Sequence, residues 1–345
     1  MVIDISRFLS GHDVRGAGQY VNLLYQSLEK FHGTHEIILL SDTRKFPSCV
    51  DLVHYPYFDP FFLTYQQPQS IPTVVTVHDL IPLLFPKQFP RGIRGSIKWL
   101  MQKHFLRHTR RIITDSQCSK RDIERIVCYP KDRIDVVYLA SNPRLLPFSQ
   151  KREEIYQKYR IPKRFILYVG DVNWNKNIMG LIRSYALLPL GRPYLVLVGK
   201  AFLDTKLDQT HQIDTLIQNL GLGSSILKTG YVTDLDLGEL YGAAQLLVLP
   251  SHYEGFGFPV LEAFLCGCPV VISKNSSLDE IGGPAVRVSS NDCASIAKGM
   301  AEVLSFTASK RRDIIAQGRQ WVKRFSWETV ARETIQIYEK ASKRI

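Results

Sequence analysis

The chain has 345 residues, 45% of them hydrophobic and 22% charged, which excludes an intrinsically disordered chain because such chains lack apolar surface to bury. At roughly 150 residues per domain, the length predicts two domains, each large enough for its own core. The 44 basic and 32 acidic side chains give a net charge of +12, which favours an anionic partner. Residues 1–150 and 310–345 contribute +6 each and residues 151–309 are neutral, so we expect the excess in the first domain and the C-terminal helix.

Short apolar runs alternate with helical segments along the whole chain. The predicted strands cover residues 2–5, 37–40, 73–77, 112–114, 134–137, 165–169, 194–198, 245–249 and 269–272. The predicted helices cover residues 17–31, 93–107, 120–127, 179–188, 205–220, 235–243, 259–266 and 327–345. Runs such as FILYV and YLVLV are apolar on both faces, which is typical of a parallel sheet covered by helices. The alternation therefore predicts an α/β fold of the doubly wound type.

Residues 140–163 interrupt this pattern with prolines, polar residues and a charged stretch, KREEIYQKYR. Such an interruption is typical of a connection between domains, and we place the first boundary at residue 145. The sequence from residue 327 onward predicts one amphipathic basic helix.

The cysteines and the apolar runs bear on the compartment. Cys266 and Cys268 form a Cys-Gly-Cys segment with no nearby histidine or second cysteine pair, which favours packed core thiols over a metal site. Six cysteines in a chain of this length do not suggest a disulfide framework. The N-terminal segment MVIDIS has no apolar signal core, and no apolar run approaches the ~18 residues of a membrane span. We therefore expect a cytoplasmic protein.

The strongest local signal is the segment 251–262, SHYEGFGFPVLE, which follows the apolar run QLLVL. It predicts a strand, a loop with glycines that let a ligand approach the backbone, and a helix with Pro259 in its first turn. Ligands bind at the carboxyl ends of strands in such sheets, and helix N-terminal amides suit phosphate. Glu254 and Glu262 suit sugar hydroxyls, whose hydrogen bonds carboxylates accept strongly.

The phrase EGFGFPVLEAFLCGCPVV closely resembles the signature of retaining glycosyltransferases of glycosyltransferase family 4. The resemblance implies a GT-B fold, with two Rossmann-like, doubly wound parallel-sheet domains facing each other across a cleft. It implies that Glu254 contacts the donor hexose and that Glu262 contacts the nucleotide ribose. It also places on the donor side the residues Gly255, Phe256, Gly257 and Phe258.

The segments RGAGQY and VVTVHDLIPLLFP also resemble stretches of this family. The first resembles its glycine loop, where Gly16 and Gly18 would allow close approach to the donor phosphates or the acceptor; a plain tight turn is the alternative. In the second, the resemblance implies that His78 touches the donor sugar near the reacting carbon, with a structural histidine as the alternative. We expect Asp79 to hold the loop or to orient His78.

The segment FILYVGDVNWNKNI resembles the strand and loop in which the family usually shows Arg-Lys-Asn. The resemblance implies that Lys176 binds the donor diphosphate, with Gly170 and Asn175 also on the donor side. Asn175 stands where the family has the arginine, so one cation that would stabilise the leaving group is missing. The sequence leaves open whether another basic residue compensates.

The segment GYVTDLDLGELYGAAQLLVLPS resembles the family's helix before the signature strand and contains Asp234 and Asp236. Acidic residues at a helix start act as caps and complement the helix dipole, so we do not assign this pair to a metal. No other cluster offers ligands for a hard cation. We expect no metal and no cofactor, with a nucleotide sugar as the donor substrate.

Residues 87–111 carry eight basic side chains and no acidic one. A helical stripe is formed there by Ile93, Ile97, Leu100 and Met101. Trp99 and Leu106 lie off this stripe, beside Lys103, so we expect them to face outward with the cations. Such a helix suits an anionic membrane interface, with a solvated basic face as the alternative.

Together with these features, the family resemblance implies a retaining, metal-independent hexosyltransferase in which Glu254, His78 and Lys176 are catalytic. The predicted regions are an acceptor-side domain (1–145), a nucleotide-sugar-binding domain (146–325) and a C-terminal helix that packs back on the first domain (326–345).

The expected reaction moves a hexose, with GDP-mannose as the first candidate donor, to a saccharide or lipid-linked saccharide in cell-surface polysaccharide or glycolipid synthesis. Two other functions stay open. One is a GT-B-fold sugar-nucleotide epimerase, which needs no acceptor, and the other is a non-catalytic peripheral membrane protein that binds sugars. Nucleic acid is not an expected partner, because the chain contains no recognised nucleic-acid-binding module.

Overall fold

The computed structural model describes residues 1–4, 16–40, 50–65, 71–145 and 152–343. Arg15, Cys49 and residues 146–151 lie outside these ranges. The chain forms two compact units: the first joins Met1–Ala140 with Phe325–Ile345, and the second is Ser141–Arg324.

The second unit begins five residues before the boundary placed from the sequence. Asn142 donates a hydrogen bond from its side-chain amide to Asp234 at 2.8 Å. The thiol of Cys266 donates to the carbonyl of Leu145 at 3.2 Å. These bonds fasten the segment that starts at Ser141 to the second unit.

Twelve strands lie in the described residues, and each is short. They are β1 (Val2–Asp4), β2 (Ile38–Leu40), β3 (Val53–Tyr55), β4 (Thr73–Thr76), β5 (Arg111–Thr114), β6 (Ile134–Val136), β7 (Phe165–Val169), β8 (Tyr194–Val198), β9 (Ile226–Gly230), β10 (Leu246–Leu249), β11 (Val270–Ser273) and β12 (Val286–Val288). Strands β3, β9 and β12 have no counterpart among the predicted strands.

The α-helices of the described residues fall between and after these strands. They are α1 (Gly16–Phe31), α2 (Ile81–Leu84), α3 (Gly92–His108), α4 (Gln117–Val127), α5 (Arg152–Tyr159), α6 (Ile178–Ala186), α7 (Asp208–Asn219), α8 (Asp234–Ala243), α9 (Phe258–Leu265), α10 (Ser277–Ile281), α11 (Cys293–Leu304), α12 (Ala308–Val322) and α13 (Trp327–Ser342). Helix α13 belongs to the first unit, where it packs along α1.

Each unit contains one six-stranded parallel sheet. The strand order is β2-β1-β3-β4-β5-β6 in the first unit and β12-β11-β10-β7-β8-β9 in the second. In the second sheet the chain runs outward from β7 to β9, then returns to β10 on the other side of β7. The carboxyl ends of β7 and β10 therefore meet at a topological switch point, where sheets of this kind bind ligands.

The prediction that FILYV and YLVLV are strands buried on both faces is confirmed. Four of the five residues of β7 are buried, as are the last four of β8. Continuous apolar strands of this kind need cover on both sides of the sheet, which is the reason parallel sheets are interior structures.

Helix α3 is turned the opposite way from the prediction. Trp99 is 7% exposed and Leu106 fully buried, so the prediction that they face outward is wrong. Gln102, on the same helical face, donates from its amide to the carbonyl of Asp59 at 3.0 Å. The large indole buries more apolar surface than an isoleucine, and the Gln102 bond holds that face inward. The exposed apolar side chains are consequently Ile93, Ile97, Leu100 and Met101.

The positive charge is distributed differently from the prediction. Each unit carries 22 basic and 16 acidic side chains, a net of +6 each. The difference arises because most of the C-terminal excess precedes α13: Lys310, Arg311, Arg312 and Arg319 lie on α12, in the second unit. No helix in the described part of the chain is long and apolar enough to cross a bilayer.

Candidate active site

Lys176 and Glu254 meet at the switch point of the second sheet. Lys176 ends a single 3-10 turn (Trp174–Lys176) after β7, and Glu254 lies in the loop after β10. The Nζ atom of Lys176 donates to both carboxylate oxygens of Glu254 at 2.8 Å. The fold thus joins two predicted site residues that stand 78 positions apart.

The Glu254 carboxylate is buried and held from two sides. Its side chain is 6% exposed, and the hydroxyl of Ser251 donates to Oε1 at 2.7 Å. The hydroxyl of Ser277 contacts the carbonyls of Glu254 and Phe256 at 2.9 and 2.8 Å. A carboxylate this far from water needs such partners, because desolvation of an unpaired charge is costly. The loop is therefore fixed in place before any ligand binds.

Asn175, which the resemblance places at the family's arginine position, ties the two loops together. Its amide donates to the carbonyl of Tyr253 at 3.1 Å, and its own carbonyl accepts from the His252 amide at 2.7 Å. The ring of Trp174 stacks on His252, with 4.7 Å between ring centroids and 25° between planes. Asn175 is buried, and in this arrangement it supports the loop that carries Glu254.

Two predicted donor-side glycines occupy positions where any other residue would clash with a neighbour and strain the backbone. Gly170 follows β7 with φ +157°, and a Cβ there would lie 2.7 Å from the hydroxyl of Tyr168. Gly257 caps α9 with φ +112°, and a Cβ there would lie 2.6 Å from a methyl of Leu278. Glycine removes both conflicts and keeps the backbone open at the strand and helix ends.

The other predicted donor-side residues lie around the start of α9. Gly255 and Phe256 are buried, and the rings of Phe256 and Phe258 pack edge to face with centroids 5.4 Å apart. Phe258 is the first residue of α9, and the next residue, Pro259, has no amide hydrogen. The amide of Val260 donates to the Gly257 carbonyl at 3.0 Å.

Glu262 lies on α9 and is buried, with a hydrogen bond of 2.8 Å from the Tyr241 hydroxyl to its Oε2. Burial raises the pKa of Glu262 to about 7; the Tyr241 bond opposes the rise and the nearby Asp234 adds to it. Tyr241 therefore supplies the hydrogen bond that makes this buried acidic group tolerable.

In the first unit, His78 pairs with a residue that the sequence analysis did not single out. His78 follows β4 and Asp115 follows the neighbouring strand β5, so both stand at the carboxyl edge of the sheet. Nδ1 of His78 donates to Oδ2 of Asp115 at 2.6 Å, and the Asp115 side chain is 3% exposed. Asp79 instead accepts from the amide of Ile81 at 2.9 Å, which holds the loop before α2.

Gly16 and Gly18 lie in the first turn of α1 and not in a loop before it. Gly16 is exposed, and a Cβ there would meet no atom within 4 Å. The helix thus starts one residue before its predicted beginning, because nothing at Gly16 prevents helical backbone geometry.

Comparison with known proteins identifies the family. The model described as Glycosyl transferases group 1 matches residues 151–321, and the Glycosyltransferase Family 4 model matches residues 38–143. O-antigen chain mannosyltransferase B of Escherichia coli is 35% identical over 310 residues, which are 87% of this chain and 78% of that protein. The chain belongs to the group 1 glycosyltransferases. The resemblance to glycosyltransferase family 4 is thereby confirmed.

Other members resemble this glycosyltransferase in sequence or fold. The serotype-specific mannosyltransferase WbdA of Escherichia coli is 30% identical over 272 residues, 76% of this chain but 33% of WbdA. The chain thus spans about a third of that relative. HepE of Anabaena, crystallised with UDP and glucose, shares the fold with a TM-score of 0.75 at 17% identity, covering 97% of this chain and 98% of HepE. The GT-B fold prediction is confirmed.

The described part of this glycosyltransferase contains no group of three or more His, Cys, Asp or Glu side chains placed to hold a metal ion. Asp236, one of the two aspartates at the start of α8, accepts from Lys158 at 2.6 Å and from the hydroxyl of Tyr159 at 2.7 Å. The side-chain cap of α8 is the hydroxyl of Thr233.

The sequence signals for the missed residues differ. Ser251 lies inside the signature segment, so its contact with Glu254 could have been predicted from the sequence. Asp115 directly follows a predicted strand, and that position alone made it a candidate. Tyr241 lies on a predicted helix 21 residues before Glu262, and no sequence pattern connects the two.

Proposed function

We propose that this glycosyltransferase is a retaining, metal-independent hexosyltransferase that moves mannose from a nucleotide diphosphate sugar to a saccharide or lipid-linked saccharide. The observation that carries the proposal is the contact of Lys176 with both oxygens of Glu254 at the switch point. A cation and a carboxylate at this edge match the two parts of such a donor. The diphosphate needs positive charge, and the hexose hydroxyls need acceptors.

The reaction releases a nucleoside diphosphate, so the site must stabilise charge that develops on the leaving group. Lys176 supplies the cation, and the N-terminus of α9, which follows Gly257, adds the positive end of the helix dipole. Nζ of Lys176 and the carboxylate of Glu254 lie 2.8 Å apart, so a donor at this edge meets both groups. Nζ binds its diphosphate, and the carboxylate accepts hydrogen bonds from its hexose hydroxyls.

The remaining assignments follow the resemblance. Glu262 binds the nucleotide ribose, and His78 contacts the donor sugar near the reacting carbon. The acceptor hydroxyl attacks on the face from which the diphosphate leaves, and a phosphate oxygen takes its proton. This order of events needs no protein nucleophile and retains the configuration of the sugar.

The choice of mannose is supported by the names of two relatives, which are mannosyltransferases, one of them of the O-antigen chain. This relationship also favours a role in cell-surface polysaccharide or glycolipid synthesis. We take GDP-mannose as the first donor to test; HepE was crystallised with UDP and glucose, so UDP-glucose belongs beside it.

The test is a panel of nucleotide sugars scored by calorimetric binding and by turnover, with and without saccharide and lipid-linked acceptors. We expect GDP-mannose to be consumed only when an acceptor is present, with the anomeric configuration retained by NMR and no loss of rate in EDTA. Consumption without acceptor would indicate an epimerase, and binding without turnover a sugar-binding protein. An inverted product, or inactivation by EDTA, would contradict the corresponding part of the proposal.

We further propose that the protein works in the cytoplasm and docks peripherally on an anionic membrane surface through α3. The helix exposes Ile93 at 82%, Leu100 at 66% and Ile97 at 54% to solvent. Arg94 and Arg107 on α3 are exposed as well, as are Lys87 and Arg91 just before the helix. An exposed apolar row flanked by cations favours insertion at the boundary between headgroups and acyl chains, and anionic lipids attract the cations. A lipid-linked acceptor would be met at this surface.

A further inference from the structure

Asp115 is a buried carboxylate that has no role in capping the helix that follows it. The cap of α4 is the hydroxyl of Ser116, which accepts from the Ser119 amide at 3.0 Å, so Asp115 does not cap the helix. Its Oδ2 is bonded to Nδ1 of His78, and its Oδ1 has no hydrogen-bond partner among the described residues. Burying a carboxylate is unfavourable without a partner, and His78 is the partner that the structure provides.

The ring of His78 is also fixed from a second side. Tyr20 packs against it edge to face, with ring centroids 4.7 Å apart and planes at 87°. The Tyr20 hydroxyl is bonded to Thr76 at 3.1 Å, Thr76 to Nε2 of His54 at 2.8 Å, and Nδ1 of His54 to the hydroxyl of Tyr338 at 2.7 Å. This buried chain runs from α13 across the sheet of the first unit to the ring beside His78. Its members hold Tyr20, and Tyr20 holds one side of the imidazole.

The charges around His78 favour its protonated form. Burial alone would lower the pKa of His78, but the Asp115 carboxylate, with help from Asp79 and the Pro56 carbonyl, outweighs burial and raises it. Burial and the nearby His78 lower the pKa of His54 to about 3, so His54 stays neutral. Burial raises the pKa of Tyr20 well above neutral pH. Burial also raises the pKa of Asp115, and the charge and hydrogen bond of His78 oppose that rise. Of the groups in this cluster, His78 is the one whose protonated form the neighbouring carboxylates favour.

We propose that Asp115 is the positioning residue of His78. Its carboxylate holds the Nδ1 proton and fixes the plane of the ring, so that His78 meets the donor as an oriented imidazolium and not as a free base. Asp115 itself touches no substrate. This inference rests on the role proposed above for His78, and the experiment separates the two.

The test compares three variants of the full-length chain. Asp115→Asn keeps the shape and removes the charge, and His78→Gln removes the ring. Asp135→Asn is the matched control, since Asp135 pairs with Arg111 at 2.6 Å in the same sheet but away from His78. The readouts are the pH profile of kcat/KM for mannosyl transfer and the NMR titration of labelled histidine side chains. The His78 signal is the one that His78→Gln lacks.

Without the Asp115 carboxylate, the pKa of His78 should fall by about 1–3 units. The loss of activity with rising pH then begins at correspondingly lower pH. At pH 7.5 we expect kcat/KM to drop about 10- to 100-fold, with most of it recovered in acid, because the protonated fraction falls with the pKa. Asp135→Asn should keep the wild-type profile.

An Asp115→Asn enzyme with the wild-type pH profile, or with an equal loss at every pH, would overturn the inference. A His78 signal in the wild-type protein that titrates at or below pH 6.5 would also overturn it, and that measurement needs no variant to fold. Full activity of His78→Gln would instead remove His78 from the proposed function. An inactive His78→Gln beside a normal Asp115→Asn would overturn only the positioning role.

Discussion

The bond between Lys176 and Glu254 ties the proposed chemistry to a single pair of side chains. Replacing Lys176 by alanine should preserve the fold, because Ser251 still donates to Glu254. It should lower kcat by about 100- to 1,000-fold, since one group that stabilises transition-state charge contributes roughly 3–4 kcal/mol. Steady-state kinetics would measure this, with Lys298→Ala, an exposed lysine on α11 of the same unit, as the control. Near-normal kcat in folded Lys176→Ala would remove Lys176 from the site.

Glu262 makes a second prediction, on stability. Burial raises its folded pKa from 4.5 to about 7, so between these values the folded chain keeps a proton that the unfolded chain has lost. The loss of folding stability caused by ionising buried Glu262 is absent below pH 4.5, grows as the pH rises, and is complete above about pH 7. Glu262→Gln removes it, so the variant should gain up to about 3 kcal/mol over wild type between pH 4.5 and pH 8, at 1.36 kcal/mol per unit.

Urea unfolding of wild type and Glu262→Gln at several pH values would check this sign, with the exposed Glu302→Gln as the control. A difference between the two proteins that does not change with pH would contradict it. Calorimetry with nucleotide on a further variant, Glu262→Ala, tests the ribose assignment. Unchanged nucleotide affinity in Glu262→Ala would exclude that contact.

At the scale of elements, the sequence predicted best where the apolar pattern was continuous. Strands β7 and β8 match their predicted bounds, because short runs that are apolar on both faces indicate buried strands. Strand β3, with His54 at its centre, was missed because a buried polar residue breaks the pattern, although hydrogen bonds to Thr76 and Tyr338 make that burial tolerable. Pairs such as His78 and Asp115 depend on strand order, which no local spacing encodes.

The orientation of α3 leads to the membrane prediction. Ile97 and Leu100 point to solvent, so replacing both by serine should leave the fold unchanged and remove apolar area available for insertion. Binding to phosphatidylglycerol vesicles should weaken about 10-fold or more, since burying each such side chain is worth about 1.5–3 kcal/mol. Co-sedimentation measures this, with Leu190→Ser, at a 95% exposed leucine of the second unit, as the control. Equal effects of both changes would contradict docking through α3.

For the whole molecule, equal charge on the two units means that net charge does not distinguish donor from membrane recognition. What differs is local arrangement. Lys176 is largely buried and paired, whereas four cations of residues 87–111 are exposed, namely Lys87, Arg91, Arg94 and Arg107. Salt screens exposed charges over a Debye length of about 10 Å at 0.1 M and acts less on buried ones.

Raising the salt from 50 to 300 mM should therefore weaken vesicle binding about 10-fold or more while changing donor affinity by less than about 3-fold. Co-sedimentation and calorimetry on one protein preparation would give both values. Donor binding that is as sensitive to salt as vesicle binding would mean that exposed cations hold the diphosphate. The assignment of Lys176 as its ligand would then be wrong. Vesicle binding that is insensitive to salt would mean that the basic segment contributes no electrostatic attraction, and docking would depend on the apolar row of α3 alone.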